Sequence, residues 1–487
     1  MPWPSFGPLI CALLVSCTLP IENVRAVSIQ FRGIKGVLSN SPRRLVSRAP
    51  GGLTLNNTAD LSYYADIVLG NQTFQVLIDT GSSDLWVAGV VGQSNDTGLN
   101  ASINYAANSV SGPIKQAPLS FADHLVPDQA FLEISPDNKN PAGVGILGLG
   151  PSSGSFISKK VGTLPGAPVL DRIFYQNRTT PNFFTVLLGR DKDPTDAFSG
   201  SITVGEVLPE YQAILNEPHL AITQVPDEKS DDQHLQMLLD QDGIIGPDGK
   251  TISLVSVVEQ TKDKRQATVV LDCGFTLPQL PRSAVDAIYS RFHGAEYTQI
   301  AGVGGAWVLP CAQEVNVTFK FAGKRYPIHP LDMSMEFSTI GLQDILTSDG
   351  ERACIGTFQP FTYDRGLNPN YDMVLGMAFM RNVYSLFDYG DFIEGSTALE
   401  DPYIQLLSIT NTTEAHQDFV TVRLGGIDTT GTRGLRDSTS KSGPGRTLYY
   451  IIAAVAVVAV LVAVAIFFIL RVDVLLWSRL LDQLSLV

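Results

Sequence analysis

Short apolar runs separated by turn residues dominate the chain between residues 53 and 407 and predict a protein made mostly of β-strands. Gly, Pro, Asn and Asp divide the runs, as is typical of strands joined by tight turns. One hairpin turn is predicted at Pro247-Asp248-Gly249, between residues 243–245 and 251–253. Helical periodicity is rare, and the clearest short helix is expected from Ala284 to Phe292.

Both ends of the chain carry apolar segments typical of proteins that meet a membrane. Residues 1–26 are predicted to form a signal peptide, with a first core strand as the alternative. Residues 448–470 contain no charged side chain, and as a helix they would extend about 34 Å, against a hydrocarbon core of about 30 Å. We therefore expect one transmembrane helix there, followed by a cytoplasmic tail at 471–487.

The predicted transmembrane segment has two alternatives. A buried core helix would have a similar length, although such a helix rarely lacks charge over the whole run. A GPI-attachment signal normally ends in its hydrophobic stretch, and the charged residues Arg471, Asp473, Arg479 and Asp482 argue against that alternative. With the signal peptide, this segment predicts a single-pass type I membrane protein with its bulk outside the cytosol.

The composition between the two apolar ends predicts the remaining divisions of the chain. Residues 27–48 are polar and basic, and a pro-segment and a disordered N-terminal arm explain them equally well. The strand-rich part is divided into an N-terminal β lobe at 49–205 and a C-terminal β lobe at 206–415. Residues 416–447, rich in Ser, Thr and Gly towards their end, are expected to form a solvated stalk.

Charge and cysteine content limit the possible partners and compartments. The formal net charge of −14 argues against a nucleic-acid partner, because phosphates would be repelled. Cys11 and Cys17 would leave with the signal peptide, so an odd number of cysteines would remain in an oxidising compartment. Seven N-glycosylation motifs fit a secretory route. They lie at Asn56, Asn71, Asn95, Asn100, Asn177, Asn316 and Asn411.

Two aspartates occupy equivalent places after two apolar runs. The first begins Asp79-Thr80-Gly81-Ser82-Ser83, and the second begins Asp272-Cys273-Gly274-Phe275-Thr276. They are 272 − 79 = 193 residues apart, which is about the size of a domain. Because each carboxylate is expected at a strand end, the repeat predicts one site shared by two lobes.

Four further segments extend this pattern in order along the chain. Residues 145–150 and 373–376 share an apolar-apolar-Gly pattern, and residues 103–105 and 109–112 suggest a hairpin. Over roughly residues 53–410, the sequence resembles the pepsin-like aspartic proteases, as a membrane-anchored, fungal-type member of the secretory pathway. The resemblance implies an all-β, bilobal fold, here with a C-terminal transmembrane helix.

The resemblance also implies a set of site residues. Asp79 and Asp272 would be catalytic, and Tyr105 would lie on a flap that closes over substrate. Cys311 and Cys354 would form a disulfide and leave Cys273 free. No metal or cofactor would be needed. The residues supporting the two acids would be Thr80, Gly81, Ser82, Cys273, Gly274 and Thr276.

The implied chemistry depends on two neighbouring carboxyl groups. Two carboxylates in contact cannot both ionise easily, so one is held protonated, and aspartic proteases are the standard example of such a pair. One group can then act as base and the other as acid on a water that attacks a peptide carbonyl. Peptides or proteins are the expected substrates. The protein is expected to be a monomer whose one helix contacts membrane lipid.

The second motif departs from the family at two positions. Cys273 and Phe275 stand where hydroxyl residues are usual, so Asp272 is expected to receive fewer hydrogen bonds and to have a raised pKa. Ala106 and Asn108 replace the usual glycines of the flap. Two hypotheses follow: an acid endopeptidase, or a weak or inactive peptide-binding surface protein with the same fold. A structural surface glycoprotein is a third, which does not explain the paired motifs.

Overall fold

The computed structural model describes residues 62–105, 109–176, 181–190, 194, 200–300, 304–393 and 400–436, and the backbone of two short strands at 28–30 and 32–33. The predicted signal peptide, the flap residues Ala106 and Asn108, the motifs at Asn56 and Asn177, and the predicted helix at 448–470 lie outside the described residues. Within the described ranges, no helix is long and apolar enough to cross a membrane.

The first half of the described chain is mostly β-structure. Its strands are β1 (Ser28–Gln30), β2 (Arg32–Gly33), β3 (Tyr63–Leu69), β4 (Gln72–Asp79), β5 (Leu85–Ala88), β6 (Asn95–Asn104), β7 (Ser109–Phe121), β8 (His124–Ile134), β9 (Val144–Gly148), β10 (Phe183–Leu188) and β11 (Gly200–Val204). Its helices are α1 (Phe156–Val161) and α2 (Val169–Gln176).

The second half of the described chain is also mostly β-structure and contains three more α-helices. Its strands are β12 (Leu220–Ala221), β13 (Gln236–Leu238), β14 (Ile244–Ile245), β15 (Thr251–Ile252), β16 (Thr268–Leu271), β17 (Gln279–Leu280), β18 (Glu296–Ile300), β19 (Gly304–Pro310), β20 (Val317–Phe321), β21 (Lys324–Ile328), β22 (Ser334–Glu336), β23 (Ala353–Gly356), β24 (Gln359–Pro360), β25 (Met373–Leu375), β26 (Val383–Asp388) and β27 (Tyr403–Ser408). The helices are α3 (Arg282–Tyr289), α4 (Met377–Met380) and α5 (Thr412–Leu424).

The sheets form two lobes and one further sheet to which both lobes contribute strands. The first lobe is an eight-stranded sheet in the order β2-β3-β4-β9-β5-β8-β7-β6, and β3 also pairs with β7. The second lobe contains the sheets β13-β16-β25-β17-β24, β15-β14-β20-β21 and β18-β19-β23-β22. A six-stranded sheet, β1-β11-β10-β26-β27-β12, takes strands from both halves, so main-chain hydrogen bonds join the lobes directly.

The same strand arrangement occurs once in each lobe. Strand β4 runs parallel to β9, which is antiparallel to β5, and β16 runs parallel to β25, which is antiparallel to β17. The register places Asp79 opposite Gly148, and Leu271, just before Asp272, opposite Leu375. The two apolar-apolar-Gly segments therefore lie beside the two acids, as predicted.

Glycine is required where these segments meet the neighbouring turns. A Cβ on Gly148 would lie 2.5 Å from the Asp84 nitrogen, and one on Gly376 would lie 2.1 Å from the Phe275 carbonyl oxygen. Both distances are shorter than Cβ atoms normally tolerate. The close packing fixes the turn that follows each acid.

Two local predictions are confirmed by the strands and helices. The hairpin around Pro247-Asp248-Gly249 joins β14 to β15, and Gly249 adopts a φ of +73° that favours glycine. The predicted helix at 284–292 appears as α3, which begins two residues earlier and ends at Tyr289. The predicted disulfide between Cys311 and Cys354 is also formed, while Cys273 is free and buried.

A buried ionic cluster joins the lobes beneath the site. Asp332 of the second lobe accepts hydrogen bonds from Arg190 of the first lobe at 2.6 Å and from Arg381 at 2.6 Å. Burial would raise the pKa of Asp332, but the charges of Arg190 and Arg381 outweigh burial and hold it well below the usual range. The cluster therefore stays charged in acidic solution.

The first part of the predicted stalk is folded against the second lobe. Asn411 caps α5 with its side chain, and the helix packs Ala415 and Phe419 into the second lobe. Beyond α5, Arg433 pairs with Glu351 at 2.6 Å, and the Arg436 N–H donates to the Arg291 carbonyl. The second lobe thus extends to residue 436 rather than 415, because apolar and charged contacts bind this segment.

Candidate active site

Asp79 and Asp272 lie together where the turn of one lobe meets the turn of the other. Asp79 is the last residue of β4 and Asp272 directly follows β16, and the exposed fractions of the two acids are 6% and 9%. A Cβ built on Gly81 would lie 2.2 Å from Oδ2 of Asp272, and one on Gly274 would lie 2.2 Å from Oδ1 of Asp79. Each turn therefore packs its glycine against the opposite acid, which only the smallest residue allows.

The first acid is held by its own turn. The Gly81 N–H donates to Oδ1 of Asp79 at 2.9 Å, and the Ser82 hydroxyl donates to Oδ2 at 2.5 Å. The Asp79 carbonyl oxygen accepts from the Leu149 N–H at 2.7 Å, which ties the turn to the segment after β9. The carboxylate is therefore oriented by donors on both oxygens.

The β6–β7 hairpin places Tyr105 over this turn. The Trp86 indole N–H donates to the Tyr105 hydroxyl at 2.8 Å, and that hydroxyl also hydrogen-bonds to Ser82. Since Ser82 donates to Asp79, a directed chain runs from Trp86 through Tyr105 and Ser82 to the first acid. Burial, and then the charge of Asp79, raise the pKa of Tyr105, so it remains a donor. Trp86 thus supports Tyr105.

The second acid is held by the main chain of its own turn. The Gly274 N–H donates to Oδ1 of Asp272 at 2.8 Å, as Gly81 does for Asp79. Phe275 occupies the place of Ser82 and has no hydroxyl to donate. Burial, and then the neighbouring Asp79 charge, raise the pKa of Asp272 well above the usual range. This direction agrees with the prediction from the sequence.

Hydrogen bonds of Thr80 and Cys273 connect the two turns. The Thr80 hydroxyl donates to the Leu271 carbonyl at 3.1 Å and accepts from the Cys273 N–H at 2.9 Å. In the reverse direction, the Cys273 thiol donates to the Ile78 carbonyl at 3.3 Å. Burial raises the pKa of the thiol, so it stays protonated and keeps its hydrogen to donate. The thiol therefore retains the contact that a hydroxyl would make, with a weaker donor.

Asp84 is a further buried acid that the sequence did not single out. Its carboxylate accepts from the Ser155 hydroxyl at 2.5 Å and from the Phe156 and Ile157 N–H groups at the start of α1. Burial raises the pKa of Asp84. These bonds attach α1 to the turn after Asp79, so Asp84 has a structural role. Its position within the first motif was the only available signal.

The remaining predicted residues are Thr276 and the glycosylation motifs. Thr276 is half-buried and follows Phe275. The described glycosylation motifs, at Asn71, Asn95, Asn100, Asn316 and Asn411, are exposed. In the part of the chain that the structure describes, no group of three or more His, Cys, Asp and Glu side chains is arranged to hold a metal.

Comparison with known proteins identifies relatives of this chain. A family model described as eukaryotic aspartyl protease matches residues 62–395. The chain is 25% identical over 364 residues to major aspartyl peptidase 1 of Cryptococcus neoformans, covering 70% of each protein. It is 26% identical over 375 residues to a probable aspartic-type endopeptidase of Trichophyton verrucosum, covering 72% of this chain and 64% of that one. It is 25% identical over 407 residues to vacuolar protease A of Aspergillus fumigatus, covering 76% and 87%.

Proposed function

Because the chain belongs to the eukaryotic aspartyl protease family, we propose that it hydrolyses peptide bonds in acid through a water activated by Asp79 and Asp272. The observation that carries this assignment is the reciprocal contact of Gly81 with Asp272 and of Gly274 with Asp79. That contact brings the two buried carboxyl groups together, where one proton is shared by the pair.

The proposed reaction uses both carboxyl groups in turn. The ionised carboxylate takes a proton from water, whose oxygen bonds to the peptide carbonyl carbon, while the protonated carboxyl gives its proton to the carbonyl oxygen. In the second step the peptide nitrogen receives a proton from one carboxyl, the C–N bond breaks, and a hydroxyl proton returns to the other. Burial and the charge of Asp79 raise the pKa of Asp272, which suits a pair that retains one shared proton in weakly acidic solution.

The remaining site residues position the pair and exclude water. Gly81, Ser82 and Gly274 orient the carboxylates, while Thr80 and Cys273 lock one turn to the other. Tyr105 is proposed to act on a closing hairpin, held by Trp86 until substrate enters.

The enzyme assignment is tested with purified ectodomain and an unfolded protein substrate at pH 3–5. We expect cleavage that a pepstatin-type inhibitor blocks, and we expect Asp79→Asn and Asp272→Asn each to reduce turnover by about 10³-fold or more. Asp84→Asn is the matched control, since it alters a buried acid outside the pair. Cleavage that persists in either paired variant would contradict the proposed reaction.

Phe275 favours one second candidate, a peptide-binding protein with weak or no activity. The phenyl group removes a donor from Asp272 but leaves the cleft and the Asp79 turn intact. This candidate predicts peptide binding without cleavage at any acidic pH. The retained thiol contact to Ile78 favours the enzyme, because it preserves the geometry of the second turn.

We also propose that the protein enters the secretory pathway as a single-pass type I membrane protein. The support is the apolar segment at 1–26, the uncharged segment at 448–470 and the exposed glycosylation motifs of the described residues. The proposal includes a pro-segment at 27–48 and a stalk between residue 436 and the uncharged segment. Glycosidase digestion combined with protease protection of isolated membranes tests this. A glycosylated, lumenal catalytic domain is expected, and an unglycosylated protein exposed to the cytosol would contradict it.

A further inference from the structure

The segment after α5 is bound to the second lobe up to residue 436. Arg433 pairs with Glu351 at 2.6 Å, and the Arg436 N–H donates to the Arg291 carbonyl oxygen at 2.7 Å. Leu435 packs against the core of the lobe. These contacts fix the point where the chain leaves the second lobe, and this point lies beside residues 291 and 351.

Four exposed aliphatic side chains lie on the segments around this point. Two of them are in the loop before β23, one is in α5, and one is between α5 and Arg433. We name this set the exit face, and it consists of Ile345, Leu346, Val422 and Ile427. Their exposed fractions range from 40% to 71%, so folding of the lobe leaves this apolar surface in contact with water.

A small cavity connects the two parts of the exit face. Leu346 forms an isolated β-bridge with Arg352, which directly follows Glu351. Arg352, Glu351 and Val422 line the same cavity, which has a volume of about 260 Å³. The loop that carries Leu346 and the helix that carries Val422 are therefore neighbours in the folded lobe, although they are far apart in the sequence.

Charged side chains beside the exit face are paired with each other. Arg352 pairs with Glu336 at 3.0 Å and with Asp344 at 3.1 Å, and Arg423 pairs with Glu336 at 3.2 Å. Because these charges largely neutralise each other, they do not repel a surface that approaches the four aliphatic side chains. A neutral apolar surface of this kind suits the interface of a lipid bilayer.

The length of chain after residue 436 limits how far the second lobe can lie from the proposed transmembrane helix. The uncharged segment begins at residue 448, so 447 − 436 = 11 residues separate it from Arg436. Eleven residues reach about 40 Å when fully extended and about 20 Å on average when flexible. A domain of this length has a radius of gyration of about 20 Å. The face from which the chain leaves is therefore the face nearest the bilayer.

We infer that the exit face is a lipid-contact surface through which the second lobe rests on the bilayer. The inference rests on the proposed single-pass topology and adds the orientation of the catalytic domain to it. Contact with headgroups and upper acyl chains removes the apolar surface of the four side chains from water. The short linker favours this contact further, because it keeps the bilayer at a high effective concentration near the exit face.

Fluorescence quenching by lipid tests this contact on the full-length protein in phosphatidylcholine nanodiscs at pH 5. Leu346→Cys and Ile427→Cys, at positions 67% and 71% exposed, each receive an environment-sensitive fluorophore. Leu125→Cys and Val90→Cys in the first lobe are the matched controls, at positions 64% and 73% exposed. Wild-type protein treated with the same fluorophore gives the background from native cysteines.

The comparison is between discs of plain lipid and discs whose lipid headgroups carry a nitroxide. The nitroxide should reduce the fluorescence at Leu346→Cys and Ile427→Cys by about twofold or more and leave both first-lobe labels unchanged. Quenching at the exit face that does not exceed quenching in the first lobe would overturn the inference. Labels that are shielded from water but not quenched by the nitroxide would assign the face to a second protein molecule, and would also overturn it.

Charged variants then show whether the apolar side chains cause the contact. Leu346→Asp combined with Val422→Asp should reduce the quenching at the Ile427→Cys label to the level of the controls, because a carboxylate resists transfer to the interface. Leu125→Asp should leave that quenching unchanged. All three positions are exposed, so the folded domain should tolerate the changes. Quenching at Ile427→Cys that stays at its original level in the double variant would contradict a contact made by the exit face.

The proposed topology and the proposed lipid contact fail differently. A protein that does not incorporate into nanodiscs contradicts the transmembrane helix, and the same labels are then measured with nitroxide-bearing phosphatidylcholine vesicles. Quenching at the exit face by these vesicles still supports the lipid contact, and its absence overturns the contact. A protein that incorporates and shows equal fluorescence at all four labels supports the transmembrane helix and overturns the lipid contact.

Discussion

The turn after Asp79 and the turn after Asp272 share a backbone and differ in their side chains. In both, a glycine N–H donates to the acid and the glycine Cα packs against the opposite carboxylate. At the next position, however, the Ser82 hydroxyl donates to the Asp79 carboxylate, whereas the Phe275 side chain has no hydrogen-bond donor. The shared backbone contacts bring the two carboxyl groups together. The difference between Ser82 and Phe275 changes how the charge of Asp272 is stabilised relative to that of Asp79.

The two departures in the second motif, Cys273 and Phe275, therefore have unequal consequences. The Cys273 thiol still donates to Ile78 and so resembles the Thr80 hydroxyl that donates to Leu271. The Phe275 ring cannot replace a donor, and it faces an aromatic neighbour instead. One substitution is therefore nearly conservative, whereas the other removes a side-chain donor beside the second acid.

The largest expected effect on stability comes from removing the buried anion that joins the two lobes. Asp332→Asn would leave Arg190 and Arg381 without their shared anion, and we expect a loss of about 3–5 kcal/mol in unfolding free energy. Because the folded-state pKa of Asp332 is lowered, its contribution is complete above an ordinary aspartate pKa of about 3.9 and disappears only as pH falls through the lowered value.

Denaturant unfolding of the ectodomain at pH 5 and at pH 3 measures this loss. Asp231→Asn is the matched control, since Asp231 pairs with Lys159 at an exposed position and should cost less than about 1 kcal/mol. An Asp332→Asn protein as stable as that control would show that the ionic cluster does not hold the lobes together.

The second prediction concerns the two glycines that pack against the opposite acid, one in each turn. Gly81→Ala and Gly274→Ala each place a methyl group 2.2 Å from a carboxylate oxygen of the opposite acid, so the pair must separate. We expect about a 100-fold or greater loss of kcat in both, because small displacements at a reacting centre have effects of that size. Gly92→Ala, whose added methyl group would meet only ordinary contacts, should retain full activity.

Steady-state kinetics on one peptide compares these three variants. A large loss in Gly81→Ala together with normal turnover in Gly274→Ala would mean that the two turns are not equivalent in their backbone contacts.

Local features of the fold were predictable because their signals are contiguous in the sequence. The hairpin at Pro247-Asp248-Gly249 and the turns after both acids depend on residues close along the chain. The cluster of Arg190, Asp332 and Arg381 had no such signal, since Asp332 lies 142 residues from Arg190 and 49 from Arg381. Long-range partners of this kind cannot be identified from charge alone.

The third prediction compares Thr80 with Cys273. Thr80→Ala leaves both the Leu271 carbonyl and the Cys273 N–H without this partner, and we expect a loss of about 1–3 kcal/mol in unfolding free energy. Cys273→Ala removes one weak thiol donor and should cost about 1 kcal/mol. Thermal or denaturant unfolding of both variants checks the order. Equal losses would mean that the thiol and the hydroxyl contribute alike, and Cys273→Ser should then show no gain.

The smallest expected effect is a shift in pH dependence. Phe275→Thr supplies a hydroxyl that can donate to ionised Asp272, and such a bond lowers the pKa of that carboxyl from its raised value. The alkaline limb of the pH–rate profile should therefore move to lower pH. Phe275→Leu is the control, because it removes the ring without adding a donor. Overlapping profiles for the threonine and leucine variants would rule out this role for the missing hydroxyl.

The site was predicted more completely than its surroundings, again for physical reasons. Asp79, Asp272, Tyr105 and the disulfide partners lie in short motifs. The structure brings the two acids together, places Tyr105 beside Trp86 and joins Cys311 to Cys354. Composition after residue 416 does not reveal that Phe419 is buried in the second lobe. Whether a polar segment folds depends on the surface available to it.

The most direct test of the shared acid pair is the pH dependence of kcat/KM for wild-type ectodomain on a single peptide. If Asp79 and Asp272 share one proton, the profile is bell-shaped on the acidic side of neutrality, with one limb for gaining a second proton and one for losing the first. A rate that rises steadily towards neutral pH, without an alkaline limb below pH 7, would contradict the account.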